Sequence, residues 1–399
     1  MVPRPGWVEK VRASLERAPI AWLSGVRRVG KTTLVRQLGE VEYLNCDLPS
    51  VAERARDPEH LLRSVTQRTL VLDEVHQLDD PSRLLKIAAD EFPGLRVVAT
   101  GSSTLAATSK FRDSLAGRKR TIELTPILEE EIDAFGVPLD RRLLHGGLPE
   151  ALLAESPPAD FYAEWIDSYF ARDVQELFRL EKRGAFLRFV ELVLRQSGGM
   201  FEGTSLAKHA AVSRPTVLSW MDVLQTTHVA RVVRPYHAGS RREILAQPKV
   251  YGFDTGFVAW ARGWRDLRQE DRGPLWEHLV LDTLVFLGLG ERTKFWRDKQ
   301  HREVDFVVER ARGVVDAIEC KSRAEAFDPR GLLALREHAA AGRNLVVCAN
   351  VRTPYTRTIA GLTLRFTSAR HLGSELEVPG ASPPRSARRR RIRRARPVR

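Results

Sequence analysis

Cysteine is scarce in this chain of 399 residues: only Cys46, Cys320 and Cys348 occur. None has metal-ligand spacing to another, which excludes a Cys-ligated zinc site and a disulfide scaffold. A reducing, cytoplasmic setting is the expectation. Long apolar runs are also missing. No stretch approaches the roughly 18 apolar residues of a membrane span, so no membrane partner is expected. The opening Met1-Val2-Pro3-Arg4-Pro5-Gly6 lacks a signal-peptide pattern and leads into an amphipathic segment, Trp7–Leu15. Acidic residues are absent from residues 380–399, which hold nine arginines. Taking those nine from the net charge of +13 leaves +4 for residues 1–379. The body is therefore mildly basic and the tail strongly so. Arg388-Arg389-Arg390-Arg391-Ile392-Arg393-Arg394 has no apolar periodicity, so the tail is expected to be disordered alone. Such a tail suits phosphate backbones, or it is a solvated extension with no dedicated partner.

The length calls for two to four domains, and a hydrophobic fraction of 43% supports globular cores. The most informative stretch is Gly25-Val26-Arg27-Arg28-Val29-Gly30-Lys31-Thr32-Thr33. It fits the phosphate-binding pattern G-x-x-x-x-G-K-[ST] in full. Two glycines let the backbone curl so that its N–H groups face phosphate oxygens. Lys31 reaches the β- and γ-phosphates, and Thr32 offers its hydroxyl to Mg²⁺. Ile20–Ser24 reads as the buried strand before the loop. Thr33–Leu38 reads as the helix whose N-terminus faces the phosphates.

Thr69-Leu70-Val71-Leu72-Asp73-Glu74 is an apolar strand ending in two acids, the Walker B arrangement. Asp73 would hold Mg²⁺ and Glu74 would polarise the attacking water. A further strand, Arg96–Thr100, runs into Gly101-Ser102-Ser103. Ser102 is the candidate for sensing the γ-phosphate, with a helix N-cap as its alternative. Arg118 follows Ser114-Leu115-Ala116-Gly117. It is the candidate arginine finger toward a neighbouring subunit's nucleotide, which would require a homo-oligomer; a plain surface arginine is the alternative. The alternation of strands and helices implies an α/β fold, a doubly wound parallel sheet with nucleotide at the strand C-termini. An Asn-Lys-x-Asp base-reading motif is absent, which favours ATP over GTP.

Residues 126–200 read as helical, and the aromatics of Phe161–Phe178 read as core. Residues 204–254 suggest a winged helix with helices Ser205–Ala211 and Arg214–Thr226. Strands Val229–Pro235 and Lys249–Phe253 flank the basic loop Gly239-Ser240-Arg241-Arg242. The second helix offers Ser213, Arg214, Thr216 and Ser219 with one positive charge, which is thin for reading DNA. Near the C-terminus, Glu303–Glu309 and Val314–Lys321 read as a hairpin turning near Ala311-Arg312-Gly313. Asp305 lies on the first strand. Glu319 and Lys321 point to one side of the second, and Cys320 to the other. Two carboxylates with an adjacent lysine suit Mg²⁺ and water activation near a phosphate. Asp-x(13)-Glu-x-Lys is the PD-(D/E)xK pattern, and Glu277 on an upstream helix would add a third carboxylate. A hairpin with cross-strand ion pairs is the alternative.

Together these residues resemble a prokaryotic family of AAA-type ATPases with a restriction-endonuclease-like C-terminal domain. The resemblance covers roughly residues 7–370. It rests on Gly25–Thr33, Leu70–Glu74, Gly101–Ser103, Leu115–Arg118, Gly146–Glu150, Lys249–Gly256, Phe295–Asp298, Glu303–Phe306 and Glu319–Lys321. It implies an ATPase core at 1–140, a helical lid at 141–200, a winged helix at 201–265 and a mixed α/β nuclease-like domain at 266–375. The arginine tail at 376–399 lies outside the resemblance. The expectation is an ATP- and Mg²⁺-dependent ATPase that acts on DNA as a switch or motor, coupled to metal-dependent cleavage by Glu277, Asp305, Glu319 and Lys321. The alternative is a regulatory ATPase with a vestigial nuclease fold that binds DNA or a protein partner without cutting.

Overall fold

The computed structural model describes residues 2–101, 109–178, 182–237 and 247–378. Ser102 and Ser103, the loop Gly239–Arg242 and the arginine tail beyond residue 378 lie outside the described residues.

The first sheet comprises β1 (Ile20–Ser24), β2 (Glu42–Asn45), β3 (Thr69–Asp73), β4 (Arg96–Thr100) and β5 (Lys119–Glu123). Its order is β2-β3-β4-β1-β5 and every neighbouring pair is parallel. Parallel sheets are covered on both faces, so their strands are apolar on both sides. β1 shows why. Ile20 and Trp22 pack on one face with Leu70, Leu72, Leu84 and Leu85. Ala21 and Leu23 pack on the other with Trp7, Val11, Leu34 and Val71. The expected α/β core is therefore present, with the loop after β1 at the C-terminal end of the sheet.

Residues 139–195 are helical among the described residues. The helix Ala159–Tyr169 passes directly into a π-turn, Phe170–Val174. Phe161, Tyr162, Trp165, Tyr169 and Phe170 are all buried, so these aromatics are core rather than a stacking platform. Two more helices, Gly203–Ala210 and Arg214–Thr226, follow. Ser213 caps the second by accepting from Thr216 N at 3.2 Å. That helix exposes Arg214, Pro215, Leu218, Ser219 and Asp222, a face of balanced charge.

The second sheet begins with β6 (Gly199–Met200), β7 (Ala230–Pro235) and β8 (Lys249–Gly252). It continues with β9 (Thr293–Arg297), β10 (Glu303–Ala311) and β11 (Val314–Lys321). It ends with β12 (Asn344–Cys348), β13 (Tyr355–Ile359) and β14 (Leu362–Thr367). Its order is β13-β14-β12-β11-β10-β9-β7-β8-β6. The join is β7, which pairs antiparallel with β8 and parallel with β9. The wing-like hairpin and the C-terminal strands are thus one continuous sheet, not two separate ones. β7 pairs with β8 through Ala230–Val233 and with β9 through Arg234 and Pro235.

Candidate functional site

The loop after β1 is shaped by its glycines. Gly25 has φ 138°, and a Cβ there would stand 2.6 Å from the Leu124 carbonyl oxygen. Gly30 is left-handed at φ 102° and opens the short helix Lys31–Val35. Only glycine takes both positions without strain. Val26 and Val29 are buried and anchor the loop in the core. Arg28 is left-handed at φ 60°, an outlier of the kind that collects at functional sites. Lys31 Nζ donates to Gly25 O at 3.0 Å and to Val26 O at 3.2 Å. Burial lowers its pKa, opposed by the charges of Glu74, Asp173 and Asp73. Thr32, in the first turn of that helix, is half-buried, and Thr33 is exposed.

The helical region seats directly on this loop. Trp165 Nε1 donates to Arg27 O at 3.1 Å. The Arg27 guanidinium lies 3.4 Å from Asp173 Oδ2, a carboxylate carried by the π-turn. Such turns are frequent at functional sites. Arg28 lies 3.4 Å from Glu150 Oε2. These contacts were not legible from the motif, which assigns roles only to the loop's backbone, lysine and threonine.

β4 stands between β3 and β1, and its last residue organises the two acids. Thr100 Oγ1 donates to Asp73 Oδ1 at 2.5 Å and accepts from Glu74 N at 3.0 Å. Tyr43 OH donates to Asp73 Oδ2 at 2.6 Å. Asp73 is buried, and Glu74 is left-handed at φ 57° with His76 Nδ1 at 3.3 Å from its carboxylate. Thr100 therefore stands at the strand end where a γ-phosphate sensor was sought. Thr32 and Asp73 suit Mg²⁺, a hard cation that takes a few protein oxygens and completes its shell with phosphate and water.

Arg118 is elsewhere. Ile20 N donates to Arg118 O at 3.2 Å, which puts Arg118 at the N-terminal end of β1, across the sheet from the loop. Its guanidinium grips Asp90 through two contacts, 2.5 Å and 3.1 Å. It takes no part in the nucleotide site of its own chain.

The second constellation forms at the join of the second sheet. Phe306 pairs with Ile318 across β10 and β11, so Asp305 and Glu319 come one step further along the same ladder. The register against β9 shifts between Val304 and Val307, a bulge at Asp305. Bulges re-aim side chains next to functional sites. Asp305 Oδ2 accepts from Cys320 N at 2.7 Å. Lys321 Nζ sits 2.8 Å from Glu319 Oε2 and 3.6 Å from Asp305 Oδ2. Glu277 comes from the helix Gln269–Phe286 and accepts from Tyr251 OH at 3.1 Å. Lys249 pairs with Glu303 beside it. Lys249 and Tyr251 are i, i+2 on β8 and reach the cluster from the same face. Their signals in the sequence were a lysine inside an apolar strand and the place of that strand in the Lys249–Gly256 motif.

Burial pushes the Glu277 and Glu319 carboxyls up to about 8; Asp305 reinforces it and the lysines oppose it. Lys249 and Lys321 are held above the usual lysine value. Burial alone would lower them, and the surrounding carboxylates outweigh it. Among the described residues no three His, Cys, Asp or Glu side chains form a metal-holding group. Lys321 lies against both Asp305 and Glu319.

Comparison with known proteins separates the chain into three matched stretches. Residues 17–132 match the AAA domain family. This stretch, which carries the phosphate loop and the Asp73-Glu74 pair, is similar to AAA domains. Residues 138–268 and 272–364 match two domains of unknown function, DUF8612 and DUF4143. An uncharacterised protein of Mycobacterium bovis and one of Mycobacterium tuberculosis are each 29% identical over 322 residues, spanning 77% of this chain and 72% of theirs. Among solved structures, the Walker-type ATPase of Pyrococcus abyssi aligns with 66% of this chain and 96% of its own, at 15% identity and a TM-score of 0.41. Among the described residues no helix is long and apolar enough to cross a membrane.

Proposed function

We propose that the chain binds and hydrolyses ATP with Mg²⁺ and uses that cycle as a switch or motor on DNA. The observation that carries the ATP reading is the Lys31 ammonium within reach of the charges of Glu74 and Asp73, two acids that Thr100 joins. The loop N–H groups and Lys31 take the phosphates, and Thr32 and Asp73 hold the metal. Bound Mg²⁺ would neutralise charge developing on the phosphates. Glu74 orients the attacking water. Lys31→Ala should abolish ATP binding in an equilibrium titration; wild-type affinity would overturn the assignment.

The DNA reading draws support from the nine arginines of residues 380–399 and from the second cluster of carboxylates and lysines. In that reading Asp305, Glu319 and Glu277 serve phosphodiester chemistry with Lys321 beside the reacting phosphate. Lys321 lodged between Asp305 and Glu319 favours a second reading, a regulatory ATPase whose C-terminal site binds without cutting. A cleavage assay with Mg²⁺ or Mn²⁺, with and without ATP, compares wild type with Asp305→Ala. Cleavage lost in the variant supports the first reading. Equal products would remove these residues from the chemistry. DNA retention without cutting supports the second.

A further inference from the structure

His228 stands between Arg214–Thr226 and β7, in a stretch to which no motif assigns a role. Its backbone is left-handed at φ 61°, as it is at Arg28 and Glu74 of the nucleotide site. A non-glycine residue in that region is strained and persists where its surroundings over-determine it. What His228 meets is the end of the strand that leads into the phosphate loop and the strand beside it. Its Nε2 lies 2.8 Å from Ser24 Oγ, on the residue directly before Gly25. Its Nδ1 faces Glu123 Oε2 at 3.5 Å. Leu124, the next residue, donates its N–H to Ser24 O at 2.9 Å, and its carbonyl leaves no room for a Cβ on Gly25. His228 therefore touches both strands that set the loop's first glycine.

The contacts continue inward from Glu123. Arg231 bridges Glu123 Oε1 and Asp282 Oδ1, each at 2.8 Å. Asp282 also lies 3.3 Å from Arg142, and the side chains of both are almost fully buried. Asp282 belongs to the helix Gln269–Phe286, which carries Glu277 five residues earlier. All three matched stretches of the chain meet in this network. Buried ion pairs stabilise little beyond an apolar substitute, but they hold their members to one geometry. The phosphate loop lies at one end of the network. Lys31 donates to the Gly25 and Val26 carbonyls. A phosphate that accepted from that ammonium would compete with both carbonyls, next to Ser24.

We infer that His228 is a positioning residue of the phosphate loop, and that Glu123, Arg231 and Asp282 join its position to the helix carrying Glu277. The inference rests on the ATP reading above. It makes the winged-helix region a coupler between the nucleotide and the C-terminal cluster rather than a DNA reader.

The test uses the full-length chain. His228→Gly removes the imidazole and relieves the left-handed strain together; His228→Gln keeps a side-chain polar group for Ser24. Turnover in His228→Gly should fall about 10- to 100-fold, the scale of a misplaced catalytic loop, with His228→Gln recovering most of it. Backbone hydrogen exchange across residues 269–286 should change when wild type binds Mg²⁺ and a non-hydrolysable ATP analogue. That change should vanish in His228→Gly and in Arg231→Met while the analogue still binds. Wild-type turnover in His228→Gly, or an exchange pattern that ignores the nucleotide in wild type, overturns the inference. The ATP reading fails separately, by Lys31→Ala retaining ATP binding.

Discussion

Replacing Thr100 by valine keeps a β-branched side chain and removes one hydroxyl. That hydroxyl donates to Asp73 Oδ1 at 2.5 Å and accepts from Glu74 N at 3.0 Å. A hydrogen bond to a charged group contributes about 1.5–3 kcal/mol, and an N–H left unpaired in a buried site costs about 1–3 kcal/mol more. Thr100 is fully buried, so little water reaches its hydroxyl to replace either bond. The two acids it joins are those assigned to the metal and the water. If about 2–3 kcal/mol of that organisation is expressed in the transition state, kcat falls about 30- to 150-fold. Nucleotide affinity, set by Lys31 and the loop, should change by less than a factor of about three, because the lost contacts are to Asp73 and the Glu74 backbone rather than to the groups that take the phosphates. Phosphate release measured beside nucleotide affinity separates the two effects. A variant with wild-type kcat and a lowered melting temperature would make Thr100 a fold residue only, and the reasoning would fail.

Stability should depend on pH through the second cluster. The Glu277 and Glu319 carboxyls move from 4.5 to about 8 on folding, so the native state holds more protons than the unfolded chain across that window. Their contribution is full below about pH 4.5 and is lost as pH rises through about 8. Denaturation midpoints should therefore fall across that range, and Glu319→Gln should flatten the fall; an unchanged slope would contradict the assignment. Lys249→Met strands buried carboxylates and should destabilise by about 3–5 kcal/mol, with Glu303→Gln restoring part of it in the double variant. Deleting residues 379–399 should reduce the salt dependence of DNA binding; an equal slope in both chains removes the arginines from phosphate contact.

The phosphate loop was legible because its chemistry is local. Glycine spacing, Lys31 and Thr32 lie within one turn of chain, and the adjacent acids Asp73-Glu74 end one strand. Asp305, Glu319 and Lys321 were legible for the same reason, since one hairpin brings them together. Thr100 was not, because its role depends on register: Leu72 pairs with Ala99, which levels Asp73 with Thr100 across two strands. Lys249 and Tyr251 were hidden by topology. They reach the cluster through the pairing of β7 with β9, between segments some sixty residues apart. Arg118 lies at the N-terminal end of β1, a placement set by the sheet's topology, since sequence order does not say which end of a parallel sheet a turn occupies. His228 left no periodic or compositional trace at all. Its position shows only when a left-handed backbone and two polar contacts are seen together.

The central claim is that the Gly25–Thr33 loop and the Asp73-Glu74 pair form a working ATP-hydrolysing site. The most direct measurement is multiple-turnover phosphate release from Mg²⁺-ATP by wild type, Lys31→Ala and Glu74→Gln, with nucleotide affinity determined for each. The account predicts turnover in wild type, loss of both binding and turnover in Lys31→Ala, and retained binding without turnover in Glu74→Gln. Turnover at the wild-type rate in Glu74→Gln would contradict it.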